Sequence, residues 1–298
     1  MFNLKSLVKK IINKIPFLKT NVYKIFGKDK KRRHNNAPSY ILLKVNDSLL
    51  NLRRGNFISE RLINSGSYEP YITQLIEKFV RKGDTVFDIG ANIGIHTLTL
   101  SKAVGDGGSV IAFEPVKYLL KELSLNLHLN STRNVKIVNV ACGEIDKIAE
   151  MNVIKEGHFD SGNSSLVENE NIISLNLNKI NKVKVQVIAL DNFVYRYGLS
   201  IDFIKMDVEG YELFALKGMR EIIKEQKPKM IIEYNLDRIH DLGFSNQDFN
   251  NILDLQYDCY EIDRSNENKG IFGLIPFKFD RIIRTDLVCV PKTPYVLK

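Results

Sequence analysis

The sequence predicts an α/β fold, an open and mostly parallel sheet of seven strands with helices on both faces. Three stretches carry that expectation. Thr85-Val86-Phe87 is a short buried strand, set off by the turn residues Lys82-Gly83-Asp84 and followed by a glycine-containing loop and a helix. Ser109 to Phe113 is a second buried strand, ending in Glu114. Ile201 to Met206 reads as the central fourth strand, with Asp207-Val208-Glu209-Gly210-Tyr211-Glu212 at its carboxyl end, ahead of a helix through Leu216.

At the start of the chain, Leu4, Leu7, Val8, Ile11, Ile12 and Ile15 recur at the spacing of one helix face. Lys5, Lys9, Lys10 and Lys14 flank that stripe, and Pro16 stops or kinks the helix. Tyr40 to Leu52 predicts two short strands around Asn46-Asp47, and Arg61 to Val80 a helix interrupted at Gly66-Ser67-Tyr68-Glu69-Pro70, placed to cover the first sheet strand. Leu119, Leu120, Leu123 and Leu127 give Val116 to Leu129 a helical period. Val135 to Val140 is the third strand, and the small residues Ala141-Cys142-Gly143 after it leave room for a flat ring. Gly157 to Ser165 predicts a polar loop beside the site, and Lys182 to Leu190 a strand with one wet face. Lys229 to Tyr234 is the fifth strand, Ser245 to Leu255 a helix, and Cys259 to Ile262 and Arg281 to Val290 an antiparallel hairpin that completes the sheet.

A chain of 298 residues, 44% hydrophobic, can bury a sizeable core. Its net charge of +8 is unevenly placed. Residues 1–33 hold eleven Lys and Arg against the single acid Asp29, which leaves 32 basic and 34 acidic residues in the remainder. A nearly neutral domain thus carries a basic extension, and a nucleic-acid stripe across the domain itself is disfavoured. Three scattered cysteines, Cys142, Cys259 and Cys289, make no disulfide framework and point to a reducing, cytoplasmic compartment. The five histidines lack the spacing of a zinc set, so no metal ligands are assigned, although Asp207 and Glu209 could offer oxygens to a divalent ion. No apolar run approaches the ~20 residues needed to span a bilayer. The basic amphipathic helix suits the surface of an anionic membrane, on its inner face; packing against its own domain, or an RNA-binding arm, are the competing readings.

The loop after the first strand chooses a ligand. Its order is Asp88-x-Gly90-x-x-x-Gly94, not the G-x-G-x-x-G of dinucleotide sites, and an acid ahead of the first glycine repels a pyrophosphate. That spacing disfavours a nicotinamide oxidoreductase. Glu114, at the end of the second strand, is placed to accept hydrogen bonds from ribose hydroxyls. Together these residues resemble the S-adenosylmethionine (SAM) site of Rossmann-like methyltransferases. Gly90, Ala91, Asn92 and Gly94 would give close backbone contact, Asp88 would anchor the loop and the methionine end, and Glu114 would hold the ribose. Ligands in open α/β sheets bind outside the carboxyl ends of the strands, so Asp207 and Glu209 stand where chemistry would occur. In the competing reading they only cap the following helix.

More specifically, the chain resembles FkbM-type SAM-dependent methyltransferases. The resemblance rests on Tyr68-Glu69-Pro70, on Asp88-Ile89-Gly90-Ala91-Asn92-Ile93-Gly94, on Leu190-Asp191 and on Asp207 through Glu212, and it covers roughly residues 65–235. It implies an O-methyltransferase acting on a hydroxyl of a sugar, glycan, lipid-linked saccharide or other natural product, with Asp207 as base or positioner and Glu209 supporting it. Neither an Asn/Asp-Pro-Pro-Tyr/Phe motif nor a Pro-Cys pair is present, which disfavours amino-group and cytosine-C5 transfer to nucleic acid. A non-catalytic SAM-binding or membrane-tethered adaptor stays open. The organisation expected is a basic extension over residues 1–35, an N-terminal cap over 36–80 and a methyltransferase domain over 81–298.

Overall fold

A computed structural model describes residues 40–155, 164–166, 180–265, 272–279 and 284–292. The N-terminal amphipathic stretch and most of the 157–165 loop lie outside the described residues. The described residues open with β1 (Tyr40–Val45) and β2 (Ser48–Arg53), paired antiparallel. Asn46 and Asp47, at φ of 45° and 59°, form the turn between them, where two left-handed residues match the twist of a tight hairpin. Two helices follow where one interrupted helix was expected. Helix α1 (Phe57–Ser65) starts earlier than Arg61 because the Asn56 side chain accepts from the Ser59 amide, and Gly66, at φ 74°, ends it. Helix α2 (Pro70–Phe79) then restarts on a proline, whose fixed φ suits a first helical turn.

The main sheet is built from β3 (Thr85–Ile89), β4 (Ser109–Phe113), β5 (Val135–Val138), β9 (Phe203–Met206) and β10 (Lys229–Asn235), all parallel, and β11 (Tyr257–Asp263), β12 (Gly273–Pro276) and β13 (Arg284–Pro291). Their spatial order is β12-β11-β13-β10-β9-β3-β4-β5. Eight strands replace the seven expected. The extra one, β12, is a four-residue edge strand on the outside of β11, ending in a proline that an edge tolerates. Strand β13 lies antiparallel between β10 and β11, so the last two expected strands are neighbours but not a simple hairpin.

Between β3 and β4 runs α3 (Ile95–Val104), and between β4 and β5 runs α4 (Lys117–Leu129). Further on lie α5 (Leu190–Tyr197), α6 (Glu212–Lys217), α7 (Leu236–Asp241) and α8 (Asn246–Leu253). Parallel strands are covered on both faces. On one side Phe87, Ile89, Phe113, Ile204 and Met206 share a core with Leu213, Leu216 and Leu236; on the other Val86, Val110, Phe203 and Ile231 pack with Leu75, Ile76, Leu100 and Val104.

A second sheet was not foreseen. It joins β6 (Ala141–Cys142), β7 (Lys147–Ile154) and β8 (Ile180–Ile188) in the order β6-β8-β7. Its apolar face, with Met151, Val153, Val185 and Val187, packs with Leu119 and Leu123 of α4, while Lys182 and Lys184 are exposed. The β1–β2 hairpin seats on the same helix. Buried Asn126 accepts from the Asn51 amide at 2.7 Å and donates to the Ile93 carbonyl at 2.8 Å, which ties the hairpin to the loop after β3.

Candidate cofactor and acceptor site

At the carboxyl ends of β3, β4 and β9 the strand order reverses, β4 lying to one side of β3 and β9 to the other. A cavity opens at this switch point, as the topology of open α/β sheets requires. One wall holds Gly90, Ala91, Asn92, Ile93, Glu114, Val116 and Leu119. Val140, Ala141, Cys142 and Met151 add an apolar side, and Lys205, Asp207, Val208, Glu209 and Tyr211 form the wall across from the glycine loop. Ile58, Tyr68 and His96 close it from the N-terminal segment and from α3.

The glycine loop is folded by hydrogen bonds to β4. Gly90 and Ala91 both donate to the Phe113 carbonyl at 3.0 Å. Gly90 has φ 83°, and a Cβ there would stand 1.8 Å from the Asp207 carbonyl oxygen. Its lack of a side chain therefore admits the β9 loop, not only a ligand. Gly94, at φ 91°, lies behind the wall, where a Cβ would meet the Leu123 side chain at 2.5 Å. Asp88 is fully buried and also lies behind the wall; its Oδ2 accepts from the Thr97 hydroxyl at 2.5 Å, pinning the first turn of α3 to β3. Oδ2 thus braces the loop, while Asp88 Oδ1 is buried without a partner.

Glu114 is buried, at 4% exposure. One carboxylate oxygen takes the Asn92 amide at 2.9 Å and the other the Val116 amide at 2.8 Å. Each oxygen, having one donor, retains capacity for another, so the residue fits a ribose diol. Burial pushes its pKa up to about 7, against the two amides, which lower it, and with Asp88 adding to the rise. The sign of the consequence follows. Ribose hydroxyls would donate to the ionised form, so below about pH 7 binding at this acid would have to expel a proton, and affinity would fall by up to ~10-fold per pH unit. Calorimetry near pH 6 in buffers of different ionisation heat should show that proton released. A SAM affinity that is flat from about pH 6 to 8 would contradict this reading of Glu114.

Across the cavity, Lys205 is a lysine within an apolar strand, 5% exposed, with Nζ 3.3 Å from Asp207 Oδ2. Burial alone would lower its pKa, but the carboxylates of Asp207, Asp88 and Glu69 outweigh that and raise it. Burial likewise pushes Asp207 up, yet Lys205, His96 and Arg238 leave its carboxyl below the usual aspartate value. Asp207 is therefore an ionised acceptor and only a weak base. Glu209, at φ 57°, turns its side chain to Arg238, and burial raises its pKa despite that partner. Neither acid caps α6. Glu212 braces the loop instead, its Oε1 accepting from Val208 at 2.9 Å and Gly210 at 3.2 Å.

Among the described residues, Asp207, Glu212 and Glu233 bring one ligand oxygen each within 4.8 Å of one another. Glu209 is not in that trio. Lys205 faces Asp207 at 3.3 Å, and Arg284 and Arg238 lie 2.9 and 3.9 Å from Glu233. Sequence reasoning also missed His96, whose Nε2 lies 2.9 Å from Glu69 Oε2 while Nδ1 is buried without a partner. Its position just after Gly94, in the first turn of α3, was the available signal. Lys205 was signalled by a lone charge in the strand Phe203-Ile204-Lys205-Met206. Asp191, part of the FkbM-like pattern, acts structurally, because its carboxylate takes the amides of Glu221 and Ile222 at 3.1 and 3.0 Å.

An open sheet of this order, with a buried acid at the end of its second strand and a cavity at the switch point, defines a Rossmann-like SAM-dependent methyltransferase. The chain belongs to the FkbM family: the model of the Methyltransferase FkbM domain matches residues 88–261, more than half of its length. S-adenosylmethionine is the cofactor of that class. A second model, Protein-L-isoaspartate(D-aspartate) O-methyltransferase, matches residues 3–146. Among solved structures the chain is similar to the methyltransferase FkbM from Methylobacillus flagellatus KT, at 21% identity, 73% of this chain, 50% of that one and a TM-score of 0.43. It thus spans half the length of that protein. It is also similar to a SAM-dependent O-methyltransferase from Thermotoga maritima, at 14% identity, 78% and 70% coverage and a TM-score of 0.40. A SAM-dependent methyltransferase from Aquifex aeolicus gives 14% identity, 78% and 92% coverage and a TM-score of 0.40. Comparison with the curated proteins gives no match.

Proposed function

We propose that this chain is an O-methyltransferase that moves the methyl group of SAM to a hydroxyl of a saccharide, a lipid-linked sugar or a related natural product. The observation that carries the reading is the pairing, across one cavity, of the buried Glu114 just after β4 with Asp207 just after β9, whose carboxyl is held below the usual aspartate value. SAM supplies an electrophilic methyl on a sulfonium. Glu114 and the close backbone of the glycine loop would orient the nucleoside, and Asp207 would accept a hydrogen bond from the acceptor hydroxyl, fixing a lone pair in line with the methyl. Transfer of this kind draws much of its acceleration from alignment, which suits an acid whose lowered pKa makes it a poor base. Lys205 would keep Asp207 charged, and Arg238 would hold the Glu209 side chain in place.

Cys142 lines the cavity, but burial pushes its thiol pKa up, away from the thiolate a cytosine-C5 mechanism needs. That supports oxygen over base carbon as the acceptor. The test is transfer of labelled methyl from SAM to a panel of cell-envelope glycans, lipid-linked sugars and RNA. Label on a saccharide hydroxyl supports the proposal; label only on RNA, or SAM binding with no turnover on any acceptor, favours a nucleic-acid enzyme or an adaptor.

We further propose that residues 1–33 hold the protein on the inner face of a membrane. No described helix is long and apolar enough to cross one. Six apolar side chains on one stripe offer about 1.5–3 kcal/mol each on full burial, and each basic residue near an anionic leaflet adds about 1 kcal/mol. The expected result is flotation with anionic vesicles at low salt, lost on Leu7→Asp with Ile11→Asp, while RNA binding hardly changes. A full-length protein that fails to float removes this part of the proposal.

A further inference from the structure

Cys259 on β11 and Cys289 on β13 are directly opposed in the antiparallel register. Their sulfurs are 3.7 Å apart, with the Cys259 thiol directed at Cys289. Directly opposed antiparallel residues have Cα atoms about 4.5–5.5 Å apart, inside the roughly 4.4–6.8 Å that a disulfide spans, so a bond between them needs side-chain rotation and little backbone movement. The two thiols differ in access. Cys259 is half-buried on the wall of a surface groove with Tyr257, Phe277 and Lys278, whereas Cys289 is fully buried. Contact with Cys259, and then burial, push the Cys289 thiol pKa well above its ordinary value. A reagent in the groove meets Cys259 first.

We propose that Cys259 and Cys289 form a redox-active dithiol, with Cys259 as the attacking and Cys289 as the resolving thiol toward small disulfides of the oxidised-glutathione class. The Cys259 thiolate attacks one sulfur of the small disulfide, whose S–S bond breaks and releases one thiolate. The mixed disulfide on Cys259 is then attacked by Cys289, whose proton passes to the small thiolate as it leaves. The Cys259–Cys289 bond forms and the second small thiolate leaves, so two protein thiols are oxidised and one small disulfide is reduced to two thiols. Closure would staple β11, and β12 beyond it, to the body of the sheet. Cys289 lies opposite Met230, near the amino end of β10, while the cofactor cavity lies at the carboxyl ends of β3, β4 and β9. The proposal is therefore independent of the methyl acceptor.

The test uses the full chain, reduced, desalted and incubated undenatured with oxidised glutathione. The expected result is loss of the mass of two hydrogens, and a peptide map without reduction that links Cys259 to Cys289 and leaves Cys142 free. Cys289→Ser should retain glutathione on Cys259, and Cys259→Ser should acquire none on Cys289. The parent map decides even if a variant does not fold: a lasting adduct on Cys259 without the cross-link, or three thiols left unchanged, overturns the proposal.

Discussion

Glu114→Ala should weaken SAM binding by roughly 10- to 150-fold, the equivalent of about 1.5–3 kcal/mol for hydrogen bonds to a charged group. The carboxylate is the only acid on the nucleoside side of the cavity wall among the described residues, and it is already held rigid by the amides of Asn92 and Val116. Alanine removes the ribose acceptor and leaves those two amides without their partner. Glu114→Gln separates the two losses, because it retains one acceptor oxygen for the loop but no charge for the diol. Calorimetric titration of the three proteins, with melting curves to verify folding, is the measurement. Unchanged affinity in Glu114→Ala would show that the nucleoside does not rest on this acid.

Asp207→Asn should bind SAM nearly as the parent does and turn over on the order of 10²-fold more slowly or worse, on the acceptor found by the methyl-transfer screen. The amide keeps the shape of the side chain but loses the charge that faces Lys205 at 3.3 Å and that would hold the acceptor hydroxyl. Because Lys205 keeps Asp88 and Glu69 as electrostatic partners, the fold should survive the exchange. The contribution of Asp207 would then show in kcat and not in SAM affinity. A folded variant that turns over within about threefold of the parent would remove Asp207 from the chemistry.

The parallel strands were legible because each is a short apolar run between turn residues, and the order of glycines with Glu114 pointed to the end of the sheet where the cavity opens. What the sequence hid was long-range. Thr97 and Asp88 are nine residues apart, and their contact gives the acid a structural partner that no local pattern announced. Gly90 looked like a concession to a bound molecule, and its nearest obstacle is the carbonyl of Asp207, more than a hundred residues away. Helix capping by Asp207 and Glu209 was a fair local expectation, but Lys205 and Arg238 draw both carboxylates elsewhere. The β6-β8-β7 sheet escaped notice because its strands pair across a long stretch of sequence with only one apolar face. Similarly, β12 is too short to carry a period.

A structure of the full chain with S-adenosylhomocysteine bound tests the central claim most directly. The expected result has the ribose hydroxyls on the Glu114 carboxylate, the adenine against Ala141 and Cys142, and the sulfur turned toward Asp207. Density for the nucleoside away from Glu114, or a thioether facing away from Asp207, would contradict it.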